Sequence, residues 1–233
     1  PLWVNHPGSS VSIVSRRELT AKSRKEGEPY ERGRPEIDPA HRRVFVGSRD
    51  HGLYALNAVD LETMWRFETA GGVQSEPLYV AAEDVVYFGS NDGAVYKLRA
   101  VDGRMLWRFA STAEITRQPV LTNGILFVMN ANDTLIAIDP QSGELKWYRH
   151  RTPAAGMEIS GYAGVSAHDQ TVFTAFSDGV VMAYRQVDGA EAWRGPVDLA
   201  ADAEATVGAE ALRYLDVDTT PIVGRAKDKD VVF

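Results

Sequence analysis

Two carboxylates set two residues apart, Asp216 and Asp218, stand in the run Glu210-Ala-Leu-Arg213-Tyr-Leu-Asp216-Val-Asp218-Thr-Thr-Pro221. A carboxylate before Thr-Thr-Pro can cap a turn through backbone N–H groups, or present its charge to a basic or polar partner surface. Alternate residues of an extended run point to opposite sides, so one aspartate can cap while the other binds. Arg213 can pair with Glu210 or Asp216 and fix the loop. The other chemistry-bearing types form no such group. The five histidines (His6, His41, His51, His150 and His168) are scattered and lack metal-ligand spacing. There is no cysteine, which excludes disulfides, thiolate metal sites and thiol nucleophiles. A Gly-x-Ser-x-Gly elbow, a Walker loop and a Gly-x-Gly-x-x-Gly fingerprint are all missing from the sequence. The reading is therefore of a non-enzyme with no cofactor and no metal.

The elements that must carry the aspartates are legible from a repeat. Val85 to Phe109 reads as three strands, with turns at Gly89-Ser-Asn-Asp-Gly93 and Val101-Asp-Gly103. Asp50, Asp92, Asn132 and Asp178 each lie 15 residues before a tryptophan: Trp65, Trp107, Trp147 and Trp193. The opening strands are VFVGS, VYFGS, LFVMN and VFTAF, and the middle strands LYAL, VYKL, LIAI and VMAY. Glycine stands four residues before Trp in three copies (Gly103, Gly143 and Gly189), with Leu61 in the first. The Trp-to-Trp steps of 42, 40 and 46 residues, with several strands per step, predict an all-β fold, a β-propeller of four-stranded antiparallel blades. Each Trp is expected to wedge one blade against the next, with Phe67, Phe109 and Tyr148 filling the same layer. Trp3 falls in the same register, closing an incomplete blade.

Residues 1–34 read as an end strand plus a polar, basic loop, and residues 35–233 as about four blades and the start of a fifth. Pro35, Pro77 and Pro119 recur at the start of innermost strands, where a missing N–H costs little. Copy three inserts Thr152 to Gly161 and copy four Pro196 to Leu215, and such insertions map to loops on one face, often the binding face. Val231-Val232-Phe233 opens a fifth copy. The chain is thus expected to be a processed or partial product, part of a larger ring, with the remaining blades supplied by further sequence or by a second chain. A net charge of −7 argues against a nucleic-acid partner. No apolar run approaches the ~18 residues of a transmembrane helix.

The alternation of apolar strand, Gly-Ser-x-Asp-Gly, Tyr-x-Leu and Asp-x-x-x-Gly-x-x-x-Trp resembles the PQQ-like repeat. That repeat is shared by quinone-dependent alcohol dehydrogenases and by non-catalytic propellers. The Glu210 to Pro221 run resembles the signature loop of the BamB family, outer-membrane protein assembly factor B. The resemblance implies an eight-bladed periplasmic lipoprotein scaffold, associated with the outer membrane. It also implies binding to a POTRA domain of BamA, the barrel-inserting subunit, through two neighbouring inter-blade loops. One loop carries the Asp-Val-Asp pair, here Asp216 and Asp218 beside Arg213. The counterpart of the other is Met157-Glu158-Ile159-Ser160-Gly161, in which Ser160 replaces the family's arginine and removes a forked cation. Two alternatives share the repeat. A ligand- or polysaccharide-sensing ectodomain has no need of the Asp216–Asp218 pair. A quinone dehydrogenase needs calcium, acidic ligands and an adjacent-cysteine disulfide, and this chain has no cysteine.

Overall fold

The computed structural model describes residues 34–152, 163–196, 220–226 and 229–232. Each repeat becomes one antiparallel sheet in simple meander order. The first sheet is β1 (Glu36–Asp38), β2 (Arg43–Gly47), β3 (Gly52–Asn57) and β4 (Thr63–Glu68). The second is β5 (Leu78–Val80), β6 (Val85–Gly89), β7 (Ala94–Arg99) and β8 (Met105–Ala110). The third is β9 (Val120–Thr122), β10 (Ile125–Asn130), β11 (Thr134–Ile138) and β12 (Leu145–His150). The fourth is β13 (Val165–His168), β14 (Thr171–Ala175), β15 (Val180–Arg185) and β16 (Glu191–Pro196). A hairpin of β17 (Val223–Ala226) and β18 (Lys229–Val232) follows. The inner strands β1 and β5, β9 and β13, and β13 and β17 lie side by side, so successive sheets are arranged as propeller blades. No helix occurs among the described residues.

The middle strands are buried on both faces, which is why β6, β7, β10 and β11 read as near-continuous apolar runs instead of alternating ones. The outer strands alternate, because one face meets the next blade and the other meets water. A bulge recurs at one register of every blade, opposite Ala55/Leu56, Lys97/Leu98, Ala137/Ile138 and Ala183/Tyr184. One extra residue there sharpens the local twist just before each tryptophan.

The core consists of three layers, each between consecutive blades. Phe45, Leu53, Ala55, Trp65 and Phe67 of the first blade meet Val86, Phe88, Tyr96 and Leu98 of the second. Trp107 and Phe109 meet Leu126, Val128, Ile136 and Ile138. Phe127, Leu135 and Trp147 meet Val172, Met182 and Tyr184. Each indole also donates to a carbonyl of the next blade: Trp65 Nε1 to Ala100 O (3.0 Å), Trp107 to Pro140 O (3.1 Å) and Trp147 to Gln186 O (2.8 Å). The glycine four residues before the next tryptophan lies beneath that ring. A Cβ on Gly103, Gly143 or Gly189 would stand 2.6–2.8 Å from the indole, and all three have φ near +70°. Leu61 keeps the same left-handed turn with φ 60, so the hairpin imposes the conformation even without glycine.

One side chain departs from the sequence reading. Tyr148 is 57% exposed and lies outside the indole layer. It follows Trp147 by one residue, whereas Phe67 and Phe109 follow their tryptophans by two, so the pleat turns Tyr148 to the opposite face. Arg149 takes the layer position instead, its guanidinium 5.6 Å from the Trp147 ring. Trp193 is 46% exposed, and of the strands of the blade it would face only the hairpin β17–β18 lies among the described residues.

Candidate functional site

In a meander blade the first-to-second and third-to-fourth turns share one rim. The second-to-third turn and the connection to the next blade share the other. Both insertions are connections of that last kind, so they leave from the rim that carries the Asp-capped hairpins. The caps on this rim are regular. Asp50 Oδ1 accepts from Gly52 N at 3.0 Å, Asp92 Oδ1 from Ala94 N at 3.0 Å, and Asp178 Oδ1 from Val180 N at 3.2 Å. The third blade differs from expectation. Asn130, not Asn132, accepts from Thr134 N, and from Asn132 N as well, because its side chain spans the turn from the end of β10.

Asp216, Asp218, Arg213, Met157, Ile159, Ser160 and Trp3 lie outside the described residues. The stems that flank the two insertions are described. Arg151, at the start of the first, pairs with Asp178 of the fourth blade, its Nε 2.9 Å from Asp178 Oδ2. Hydrogen bonding to Asp178 raises the Arg151 pKa above its already high ordinary value. The guanidinium lies 5.5 Å from the Phe176 ring centroid. At the far end of the first insertion, Gly164 O accepts from the Thr174 hydroxyl at 3.1 Å. At the far end of the second stand Thr220 and the buried Pro221. A Cβ on Gly164 would fall 2.1 Å from Thr220 Oγ1, so the two stems are in contact and a larger residue at 164 would have to displace the Thr220 side chain.

One group of metal-ligand type occurs among the described residues: Asp38, His41 and Asp84. A guanidinium already stands within it. Arg43 Nε donates to Asp38 Oδ2 at 2.8 Å and Arg43 Nη2 to Asp84 Oδ1, and His41 Nδ1 lies 2.8 Å from Asp38 Oδ2. Burial alone would push the Asp38 carboxyl up, but Arg43 and His41 outweigh it and hold it below the usual range. The chemistry of this cluster is an ion lock between the first two blades. A second lock joins blades two and three. Lys97 Nζ, almost fully buried, reaches Glu83 Oε2 at 3.0 Å and Pro140 O at 2.9 Å, and Tyr87 Oη donates to the same carbonyl at 3.2 Å. Lys97 has no place in the sequence reading; the one signal is lysine where the other copies carry Ala55, Ala137 and Ala183.

The blades, the indole wedges and the Asp-capped rim define a β-propeller of PQQ-like repeats. A family profile described as outer membrane protein assembly factor BamB matches residues 49–233, and the chain belongs to that family. The crystal structure of BamB from Moraxella catarrhalis is similar at 19% identity and a TM-score of 0.47, over 72% of this chain and 62% of that one. The computationally designed Ika8 protein is similar in fold, with a TM-score of 0.59 at 12% identity, over 85% of this chain and 56% of that one. The chain thus spans less than two thirds of the length of either. No curated protein sequence matches it.

Proposed function

We propose that the chain is a non-catalytic scaffold of the outer-membrane β-barrel assembly machinery, acting in the periplasm at the outer membrane. It binds a POTRA domain of a BamA-like insertase through its two long inter-blade loops. The observation that carries this reading is the contact of Gly164 with Thr220. It sets the end of the loop bearing Met157, Ile159 and Ser160 against the end of the loop bearing Arg213, Asp216 and Asp218. Family membership supports the same partner class. Met157 and Ile159 supply the apolar centre of the contact, and the aspartates its polar edge. No cofactor takes part. The test is titration of a purified POTRA domain into the wild-type chain and into Asp216→Ala/Asp218→Ala, with circular dichroism as the folding control. The reading expects weaker binding by about tenfold or more with unchanged folding, as for truncation of charged contacts worth ~1.4 kcal/mol or more. An unchanged dissociation constant refutes it.

A further inference from the structure

At one middle-strand position the first two blades carry a tyrosine, Tyr54 and Tyr96, where the third and fourth carry Ile136 and Met182; Met182 is buried in the junction of the third and fourth blades. In the first blade the Tyr54 hydroxyl donates to Asp50 and accepts from Arg66 Nε at 3.1 Å. In the second, the Tyr96 hydroxyl donates to Asp92 Oδ2 at 2.5 Å and accepts from Arg108 Nε at 3.1 Å. The Tyr96 ring stacks on Phe88 with centroids 5.1 Å apart, and Phe67 of the preceding blade meets it edge-on at 5.5 Å. The third blade replaces the whole set. Ile136 stands for Tyr96, Val128 for Phe88, Asn132 for Asp92 and Tyr148 for Arg108. Two stacked rings have become two aliphatic side chains, while Phe109 still projects from the second blade as Phe67 does from the first.

The result is an open groove of about 340 Å³ between the second and third blades. That lies near the lower end of small-ligand sites, which run from about 300 to 1,000 Å³. Phe109 and Ile136 line its apolar part, and Asn132, Thr134, Tyr148 and His150 its mouth. Phe109, Asn132 and Tyr148 hold the repeat positions of Phe67, Asp92 and Arg108, which meet Tyr96 one junction earlier, and Ile136 holds the position of Tyr96 itself. The polar end also changes in kind. Asp92 only accepts, whereas the Asn132 amide both donates and accepts, and so does not require a charged arginine beside it.

We propose that this groove is a binding site for an aromatic side chain, tyrosine first, presented by a peptide segment of a protein partner. The ring takes the place that Tyr96 fills one blade earlier. Its edge meets Phe109, its face meets Ile136, and its hydroxyl reaches the Asn132 amide. The groove opens on the rim from which the long loops leave, but the assignment does not depend on them.

The experiment is a chemical-shift titration of the full chain with the amide-capped tripeptides Gly-Tyr-Gly and Gly-Leu-Gly. The expected result is a saturable response to the tyrosine peptide at the backbone amides of Ser111, Thr112, Asn132 and Thr134. The leucine peptide should bind at least fivefold more weakly. The variant Asn132→Asp/Ile136→Tyr/Tyr148→Arg rebuilds the hydrogen-bonded trio of Asp92, Tyr96 and Arg108 and should fill the groove. It should weaken the peptide at least tenfold without lowering the thermal midpoint. Ile136→Phe, a single change that fills the same space, provides the second arm if the triple variant does not fold. Undiminished binding to a folded filled variant overturns the proposal. So does a response at other residues, equal binding of the leucine peptide, or no response at 10 mM peptide, a concentration above the ~1 mM scale of weak side-chain recognition.

Discussion

The wedge of an indole over a glycine yields a prediction with its own internal control. Gly143 has φ +75, and a Cβ there would stand 2.8 Å from Trp107 Cδ2 and 2.9 Å from Cγ. In Gly143→Ala, holding alanine in the left-handed region costs about 1–2 kcal/mol. The indole must also ride outward, stretching its 3.1 Å bond to Pro140 O, and losing such a bond costs about 0.5–1.5 kcal/mol. With some packing lost besides, the total is about 2–4 kcal/mol, or about 6–12 °C in thermal midpoint for a chain of this size. Gly124 has nearly the same φ, +73, with nothing within 4 Å of a Cβ. Gly124→Ala therefore carries the backbone cost alone, about 1–2 kcal/mol and 3–6 °C. Thermal melts of both variants, with the emission maximum of tryptophan as second readout, give the test. Gly143→Ala should melt lower than Gly124→Ala and should shift the emission as Trp107 moves. Equal midpoints with unchanged emission would show that the rings do not bear on the glycines and would refute the reasoning.

Further outcomes follow from the ion locks. Lys97→Met should lower stability by about 1–3 kcal/mol in urea denaturation, discounted from a fully buried pair because the Glu83 carboxylate is one-third exposed. Asp38 and Asp84 both have folded pKa values below their ordinary ones: at Asp38 burial opposes but Arg43 and His41 prevail, and at Asp84 the Arg43 hydrogen bond leads. Their contribution is therefore present above about pH 4 and lost as pH falls through the folded values. Arg43→Met should reverse the sign at the buried Asp38, so the variant should lose less stability relative to wild type at pH 4 than at pH 8, as read from melts across pH. Asp133 is the opposite case, because burial pushes its carboxyl up against the Ser177 hydroxyl and amide. Its raised value favours the fold below the ordinary carboxylate pKa and is lost as pH rises through the folded one, so Asp133→Asn should compare better with wild type at pH 8 than at pH 4.

Much of this architecture can be read in the chain because it rests on residues with few substitutes. A left-handed hairpin position selects glycine, and a blade junction selects one large ring with a single donor, so Gly103 and Trp65 are visible at a fixed spacing. Prolines mark the inner strands for a similar reason, since Pro35, Pro77 and Pro119 directly precede β1, β5 and β9. What cannot be read depends on how side chains meet across blades. Lys97 stands as a lone charge in an otherwise apolar strand, and its partners become visible only when Glu83 and Pro140 are placed over it. Tyr148 departs from expectation because nearness to tryptophan along the chain is not the same as sharing its face, and the pleat separates the two. The groove beside Ile136 cannot be read from the middle-strand alignment alone, since Met182 also stands where the first two copies have tyrosine and is buried, so only the neighbours of Ile136 give the change its shape. The loop residues Met157, Ile159, Ser160, Arg213, Asp216 and Asp218 rest on family resemblance, and the described stems bear on where their loops start and finish.

The Pro140 carbonyl receives Trp107, Lys97 and Tyr87, three donors on an oxygen with two lone pairs. Such oversubscription makes the joint tolerant: the first donor deleted is replaced in part by the two that remain, and the second deletion hurts more than the first. Ala100 and Gln186, each serving one indole, have no such reserve. Evolutionary drift should therefore pass more freely through the middle junction than through those on either side of it.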